Sequence, residues 1–158
     1  MGSRERVSEF LSRSGAKYEL REFGDSTKNS ALAAEALGCT VAEIAKSVVF
    51  VGEKTAAVVI ISGDRRVDAA KLVGVAGTEM RVAKADEVRL RTGYPIGGVP
   101  PFPHGEGVLV VADTSLTRFG HVWAAAGTPN SVVGIGTPDL LRLLGTTPVD
   151  VSVQPEPL

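Results

Sequence analysis

Two apolar runs in the middle of the chain constrain its fold more than any other feature. They are SVVFV (47–51) and TAAVVIIS (55–62), and only GEK (52–54) separates them. β-Branched residues favour strands, and so short a connection joins antiparallel neighbours. Because both runs are apolar at consecutive positions, both faces of each strand need cover. The sequence therefore predicts a β-hairpin at the centre of a sheet.

The segments around this hairpin predict helices and further strands. A short helix is expected from Thr40 to about Ala45, where Thr40 and Glu43 can form a capping box. In the last helix, Thr137 is the expected cap and Gly145 the stop. The other predicted helices are RERVSEFLSRSG (4–15), NSALAAEALG (29–38), RVDAAKLVGVAG (66–77) and KADEVRLRTG (84–93). The other predicted strands are KYELREF (17–23), MRVA (80–83), GVLVVAD (107–113), HVWAAA (121–126), SVVGIG (131–136) and VDVSV (149–153).

This order of elements predicts the fold class. Helices and strands are interspersed without the regular alternation of a doubly wound fold, which favours α+β. The strands after the hairpin are joined by connections too short for helical crossovers, which favours antiparallel pairs. We predict a mixed, largely antiparallel β-sheet partly covered by helices. One domain is expected to span residues 1–158, with QPEPL (154–158) as a frayed tail.

Composition narrows the class of protein. Hydrophobic residues make up 44% of the chain and charged ones 22%, which is typical of a globular domain. With 17 basic and 18 acidic side chains the net charge is −1, so the overall charge does not favour binding to DNA or to an anionic membrane. Cys39 is the single cysteine and lies far from both histidines, so we expect no metal and no cofactor. No apolar run reaches membrane-spanning length and no signal peptide is visible, so we expect a cytoplasmic protein.

The usual catalytic motifs are absent from the sequence, which leaves one lysine as the first candidate. Neither GxSxG, HExxH, CxxC nor a P-loop occurs. Lys46 stands in EIAKSVVF, where the predicted short helix gives way to the hairpin. A lysine is costly to bury unpaired, so its ammonium either reaches solvent past an apolar stem or points into a cleft.

The second candidate is TGYPIGGVPPF (92–102), with three glycines and three prolines in eleven residues. Glycine lets a backbone approach a ligand closely, and proline fixes the segment between. The amides of Gly97, Gly98 and Val99 could then form a nest for a carboxylate, a phosphate or a developing oxyanion. The alternative is a rigid connector between a helix and a strand.

These motifs together resemble a known family. AAEALGCTVAEIAKSVVF, the apolar hairpin, TGYPIGGVPPF, VLVVADTSL and TPDLLRLLG follow one another as in the YbaK/prolyl-tRNA synthetase-associated editing domains. The likeness extends from Tyr18 to Val153 and looks like a free-standing member. It implies hydrolysis of the ester that joins a small wrong amino acid, such as cysteine or alanine, to tRNA for proline. The implied partners are the acceptor end of aminoacyl-tRNA and, as a further candidate, an aminoacyl-tRNA synthetase.

The resemblance also implies roles for individual residues. Lys46 matches the lysine thought to orient the ester, and Gly97 opens the GxxxP loop that contacts the aminoacyl group. The remaining substrate-binding candidates are Gly98, Val99, Pro100, Pro101, Ser47, Phe23 and Asn29. An aminoacyl ester is already activated, so positioning, an oxyanion site and a group of the substrate itself could suffice.

Two alternatives stay open at this point. One is a binding module of the same fold, without catalysis, for a tRNA 3′ end, an adenylate or a protein. The other concerns His104, the titratable residue nearest the Gly/Pro stretch, which is either an acid–base group or an exposed turn residue.

Overall fold

The computed structural model describes residues 2–24 and 29–153, so the predicted tail at 154–158 lies outside the described residues. The helices are α1 (Ser3–Ser14), α2 (Ser30–Leu37), α3 (Ala69–Ala76), α4 (Ala85–Thr92) and α5 (Thr137–Leu144). The strands are β1 (Tyr18–Glu22), β2 (Ile44–Val51), β3 (Ala56–Ser62), β4 (Arg66–Val67), β5 (Arg81–Val82), β6 (Val108–Ala112), β7 (His121–Ala125), β8 (Ser131–Gly136) and β9 (Ser152–Val153). Two 3₁₀ turns, Val41–Glu43 and Thr114–Arg118, lie between them.

Seven of the described strands form one sheet, and the fold is α+β as predicted. The order across the sheet is β1-β8-β7-β2-β3-β6, and β5 pairs with the end of β2. β4 and β9 form a separate antiparallel ladder. The hairpin of β2 and β3 is central, with Val48 opposite Val59. None of the helices in the described part of the chain is both long and apolar enough to cross a membrane.

The sheet is covered on both faces, which explains the uninterrupted apolar runs. Val58 and Ile60 of β3 pack in a cluster with residues of α1, α4 and α5. Val59 and Ile61 alternate with them and pack with Leu72 of α3 on the opposite face. Each is fully buried, and a side chain of this size stabilises the fold by about 1.5–3 kcal/mol on burial.

The pairing of the later strands differs from the prediction. β7 and β8 are antiparallel, as expected from their short connection. However, β6 runs parallel to β3, and β7 runs parallel to the start of β2. The segment between β3 and β6 contains α3 and α4, and this long segment is the crossover that parallel pairing requires. The short connections between strands adjacent in sequence do not reveal this crossover.

The predicted short helix from Thr40 to about Ala45 is also wrong in length. Helical structure covers only the 3₁₀ turn Val41–Glu43, and β2 already begins at Ile44. The capping box is present, since the Glu43 carboxylate accepts the Thr40 N–H at 3.0 Å. Pairing of Ile44 with Trp123 of β7 extends the strand at the expense of the helix. Lys46 is therefore the third residue of a strand rather than the end of a helix.

The last helix follows its prediction except at the first position. Thr137 is the first helical residue, and the cap is Gly136, without a side-chain hydrogen bond. Pro138 lies in the first turn, where its missing N–H costs nothing, and Gly145 ends the helix in the left-handed conformation.

Candidate functional site

A pocket of about 600 Å³ opens beside the middle of β2. β2 pairs with β7 only at Ile44 and Ala45, and with β5 only at Phe50 and Val51. Between these points, on the side away from β3, no described strand pairs with β2. The described lining residues are Asn29, Ser30, Ala31, Ala33, Val41, Ile44, Ala45, Lys46, Ser47, Val48, Gly63, Ile96, Gly97, Val99, Trp123, Ala124, Ala125 and Val132. The pocket thus brings together the two candidates that the sequence indicated, Lys46 on β2 and the Gly/Pro loop.

The backbone of Ser47 faces this gap in the sheet. The Ile44 carbonyl accepts the Gly63 N–H at 2.7 Å and so points toward the end of β3. The Val49 carbonyl accepts the Ala83 N–H at 2.9 Å on the opposite side. Because backbone groups alternate sides along a strand, the N–H and C=O of Ser47 point away from β3. The Ser47 hydroxyl is also buried and has no partner among the described residues.

Lys46 is half-buried and its ammonium is held at the pocket. Its Nζ donates to the carbonyl of Gly63 at 3.3 Å. Burial lowers the pKa of Lys46, and the nearby carboxylate of Asp64 opposes that shift. The alternative of a lysine that merely reaches solvent does not describe this geometry, since the side chain lines a pocket and bonds to its rim.

Gly63 is a site residue that sequence reasoning missed. A Cβ there would collide with the carbonyl oxygen of Val41, so only glycine fits the turn that receives Lys46. The sequence signal was SGD at the end of the second apolar run, a pattern typical of a turn that does not indicate a ligand.

Only two of the three amides expected to form a nest in the Gly/Pro loop remain without an acceptor among the described residues. The Gly98 N–H donates to the Pro95 carbonyl at 2.9 Å. This hydrogen bond closes a turn, so the Gly98 N–H is not part of the expected nest. Gly97 has a left-handed φ of 81° that glycine adopts without strain. The N–H groups of Gly97 and Val99 have no acceptor within residues 2–24 and 29–153, and both residues line the pocket.

Gly98 fixes the loop against the neighbouring chain segment. Its carbonyl accepts the Gly127 N–H at 3.0 Å. A Cβ on Gly98 would lie 2.7–2.9 Å from three backbone atoms of Thr128. Close backbone packing therefore requires glycine here, and Gly98 supports the loop without lining the pocket.

Pro100, Pro101 and His104 lie away from the pocket. Both prolines are buried, and none of the three residues is among those that line the pocket. The His104 Nε2–H donates to the Pro100 carbonyl at 2.7 Å, and its buried Nδ1 has no partner among the described residues. Burial lowers the pKa of His104. In this arrangement the imidazole braces the loop from behind rather than facing a ligand.

The two remaining substrate-binding candidates, Asn29 and Phe23, lie in different places. Asn29 lines the pocket, and its Oδ1 caps α2 by accepting the Leu32 N–H at 2.9 Å. Phe23 does not line it. The Phe23 N–H donates to the Asn130 carbonyl at 2.8 Å, and the Phe23 carbonyl accepts from Asn130 Nδ2 at 2.9 Å.

Trp123 forms part of the wall and was read from the sequence only as a strand residue. Its ring covers Gly134 on β8, where a Cβ would lie within 2.7–2.9 Å of three ring atoms. The Arg21 guanidinium lies 4.8 Å from the ring centroid. No sequence pattern linked Trp123 to Lys46, because their placement on one pocket depends on the parallel pairing of β7 with β2.

The charge and the lining define what this site can do. Lys46 is the one charged side chain among the described lining residues, and most of the others are small or apolar. The described residues contain no group of three His, Cys, Asp or Glu side chains placed to hold a metal ion. The site can hold an anionic or neutral polar group near Lys46 and donate hydrogen bonds to a carbonyl from the Gly97 and Val99 amides.

Comparison with known proteins identifies relatives of the chain. The model of the aminoacyl-tRNA editing domain family matches residues 25–143. Protein YwhH of Bacillus subtilis (strain 168), which is described as uncharacterized, is 35% identical over 123 residues, or 77% of this chain and 78% of its own. A solved structure described provisionally as a trans-editing enzyme for prolyl tRNA synthetase is 37% identical, with a TM-score of 0.87 over 98% of this chain and 99% of that one. The hypothetical protein APE2540 is 30% identical, with a TM-score of 0.87 over 94% and 99%. The chain belongs to the aminoacyl-tRNA editing domain family.

Proposed function

We propose that this protein is a trans-acting deacylase that hydrolyses the ester of a small amino acid on a mischarged tRNA, of the Cys-tRNA(Pro) or Ala-tRNA(Pro) type. The observation that carries the proposal is the convergence of Lys46, Ser47 and the free amides of Gly97 and Val99 on one pocket. Membership of the editing family and the likeness to a provisional prolyl trans-editing enzyme support it.

The residues have distinct roles in the proposed reaction. The Lys46 ammonium holds the terminal adenosine or its phosphate. The Gly97 and Val99 N–H groups donate to the ester carbonyl, and the hydrogen bonds strengthen as its oxygen becomes negative. One oxyanion donor of this kind contributes on the order of 10²–10³ in rate. Ser47 borders the aminoacyl group through its hydroxyl and its unpaired backbone.

The chemical step needs no side-chain nucleophile in this proposal. Water adds to the ester carbonyl, and a group of the substrate, such as a ribose hydroxyl or a cysteinyl thiol, relays the water's proton to the departing ribose oxygen. The tetrahedral intermediate then expels the ribose oxygen, which receives a proton, and the products are the free amino acid and tRNA. Positioning replaces a catalytic relay because the ester is already activated.

The lining supports an amino acid with an uncharged side chain as the substrate. Ala45, Ala124 and Ala125 line the pocket, and no carboxylate is among its described lining residues. The small size of that amino acid is the part of the proposal that rests on the family resemblance. The acceptor end of the tRNA is the proposed partner, with a synthetase as a second one, and the proposed compartment is the cytoplasm.

A deacylation panel tests the proposal. Each small amino acid is charged on tRNA for proline, alanine and threonine, and ester loss is followed with wild-type protein and without it. We expect accelerated hydrolysis of at least one ester. Tight binding of the charged tRNA without turnover would support the inactive binding module instead.

A further inference from the structure

The start of the Gly/Pro loop is fixed to helix α1 by Arg6. The Arg6 Nη2–H donates to the Gly93 carbonyl at 3.1 Å. The carbon at the centre of the guanidinium lies 4.8 Å from the centroid of the Tyr94 ring. A cation over an aromatic face is attracted by the ring electrons in addition to ordinary packing. Two consecutive loop residues therefore contact one side chain of α1.

The Tyr94 side chain connects the two ends of the loop. Tyr94 is buried, and its hydroxyl donates to the Pro103 carbonyl at 3.0 Å. The segment between these two residues contains Gly97 and Val99, whose N–H groups have no acceptor among the described residues. A segment whose ends are joined has fewer alternative conformations than an open one. One hydroxyl thus restrains the part of the chain that carries both amides.

His104 adds a second restraint next to Val99. Its Nε2–H donates to the carbonyl of Pro100, the residue that follows Val99, at 2.7 Å. The imidazole also packs edge-to-face on the Tyr94 ring, with the centroids 5.6 Å apart. Tyr94 and His104 therefore form one unit that bonds to the loop at Pro100 and at Pro103.

Helix α1 supports the loop at two further points. The Phe10 ring packs on the Phe102 ring with a centroid distance of 4.9 Å. The N–H of Gly127 donates to the Gly98 carbonyl at 3.0 Å, and a Cβ on Gly127 would lie 2.6 Å from the Ser3 carbonyl oxygen. The first turn of α1 is therefore in close contact with the residue that holds the middle of the loop.

We propose that Tyr94 and His104 are positioning residues, which hold the two loop amides in place for the proposed reaction, and that α1 supports them through Arg6. Tyr94 and His104 are not among the described residues that line the pocket, so they act through the loop backbone. A donor accelerates a reaction when it is held where charge develops, and a displacement of about 1 Å can cost about 10²-fold in rate. Because α1 precedes residues 25–143, part of this support lies outside the segment that the family model matches.

Tyr94→Phe tests the proposal by removing one hydroxyl, in a kinetic experiment that rests on the proposed function. The phenylalanine keeps a ring against Arg6, while the Pro103 carbonyl loses its donor. We expect kcat for the preferred aminoacyl ester to fall about tenfold and KM to stay within about twofold of wild type. The reason is that donors to a developing oxyanion stabilise the transition state more than the bound ester. His104→Leu should act in the same way, and His104→Gln, which keeps a donor, should restore part of the rate.

The matched control is Ser14→Ala. It also removes one hydroxyl that donates to a backbone carbonyl, that of Leu11 at 2.7 Å, but at the other end of α1. We expect kcat and KM to stay at their wild-type values in this variant. A kcat in Tyr94→Phe as high as in Ser14→Ala, or a higher KM at unchanged kcat, would overturn the proposal while leaving the deacylase proposal intact.

A spectroscopic experiment tests the positioning role without catalysis. The amide signals of Gly97 and Val99 are assigned in ¹³C,¹⁵N-labelled protein and compared between wild type, Tyr94→Phe and Ser14→Ala. We expect both signals to shift or broaden in Tyr94→Phe and to stay in place in Ser14→Ala. Unchanged signals in Tyr94→Phe would overturn the proposal. If that variant does not fold, His104→Leu and His104→Gln replace it in both experiments. If wild-type protein hydrolyses no ester, the proposed function fails, and the amide signals still decide the positioning role.

Discussion

The two walls of the pocket present their polar groups in opposite ways. On the β2 wall, the side chain of Lys46 lines the pocket while the Lys46 backbone pairs with Ile61 of β3. On the loop wall, Gly97 and Val99 line the pocket, and their N–H groups have no acceptor among the described residues. On the β2 wall, a substitution of the Lys46 side chain can therefore change activity without changing stability. On the loop wall, a change in the backbone affects both activity and stability.

The sharpest test of the β2 wall is Lys46→Ala. We expect deacylation of the preferred ester to fall by at least about 10²-fold. The melting temperature should stay within a few degrees, because the ammonium makes one hydrogen bond and its partial burial is unfavourable. Single-turnover deacylation and thermal denaturation measure the two effects. Lys54→Ala, at an exposed position in the hairpin turn, is the control, and full activity in Lys46→Ala would contradict the assignment.

Gly98→Ala tests the opposite expectation for the loop wall. A Cβ would lie 2.7–2.9 Å from backbone atoms of Thr128, which cannot move as a flexible side chain does. We expect the free energy of unfolding to drop by about 1–3 kcal/mol, with activity lost in parallel as the loop shifts. Urea denaturation measures the change. Gly105→Ala is matched to it, since Gly105 has open space around its Cβ position and no positive φ, and it should be nearly neutral.

The pH dependence sharpens the role given to the ammonium. The pKa of Lys46 is lowered from the usual 10.5, chiefly by burial. If the charged form is required, kcat/KM corrected for uncatalysed hydrolysis should decline as pH rises through that lowered pKa, before 10.5 is reached. In the same window the unfolded chain binds more protons than the folded one, so this group makes the free energy of unfolding rise with pH. Activity that stays constant up to pH 10.5 would argue against a required ammonium.

Substitution of Asn29 is expected to have the smallest effect, and it tests whether Asn29 does more than cap α2. Replacement by alanine removes the bond from Leu32 N–H and should cost about 1 kcal/mol of stability. Asn29→Asp keeps a capping oxygen, so it should retain both stability and deacylation if capping is the whole role. Loss of activity in Asn29→Asp with unchanged thermal stability would instead indicate a contact between the amide and the substrate.

The sequence predicted the hairpin well because its signals are local. Consecutive apolar β-branched residues specify a strand covered on both faces, and GEK specifies a short reversal. It predicted the later strands and the antiparallel pairing of β7 with β8, but not the parallel pairing of β6 and β7 with the hairpin. Whether β6 lies parallel to β3 depends on where the segment with α3 and α4 crosses the sheet, and no local pattern encodes that path.

The candidate site was predictable only in part, for a related reason. Lys46 and Gly97 were recognisable because an unpaired lysine in an apolar run and clustered glycines are unusual in themselves. Gly63 and Trp123 were not, since their importance comes from a close approach to Val41 and from pairing across the sheet. The prediction that the Gly98 amide belongs to the pocket was wrong, because this N–H donates to the Pro95 carbonyl. Composition does not reveal which carbonyl a backbone N–H bonds to.

The sequence by itself determined most of the helices and strands, the α+β class and the two unusual segments, Lys46 with its strand and the loop from Gly97 to Pro101. These depend on side-chain type and short spacing, which act through local backbone preference and burial. Only the tertiary structure decided that β2 is left without a strand partner between Ala45 and Phe50 on one side, so that a pocket opens there. That gap follows from long-range strand pairing, and it is what places Lys46 and the Gly/Pro loop around one pocket.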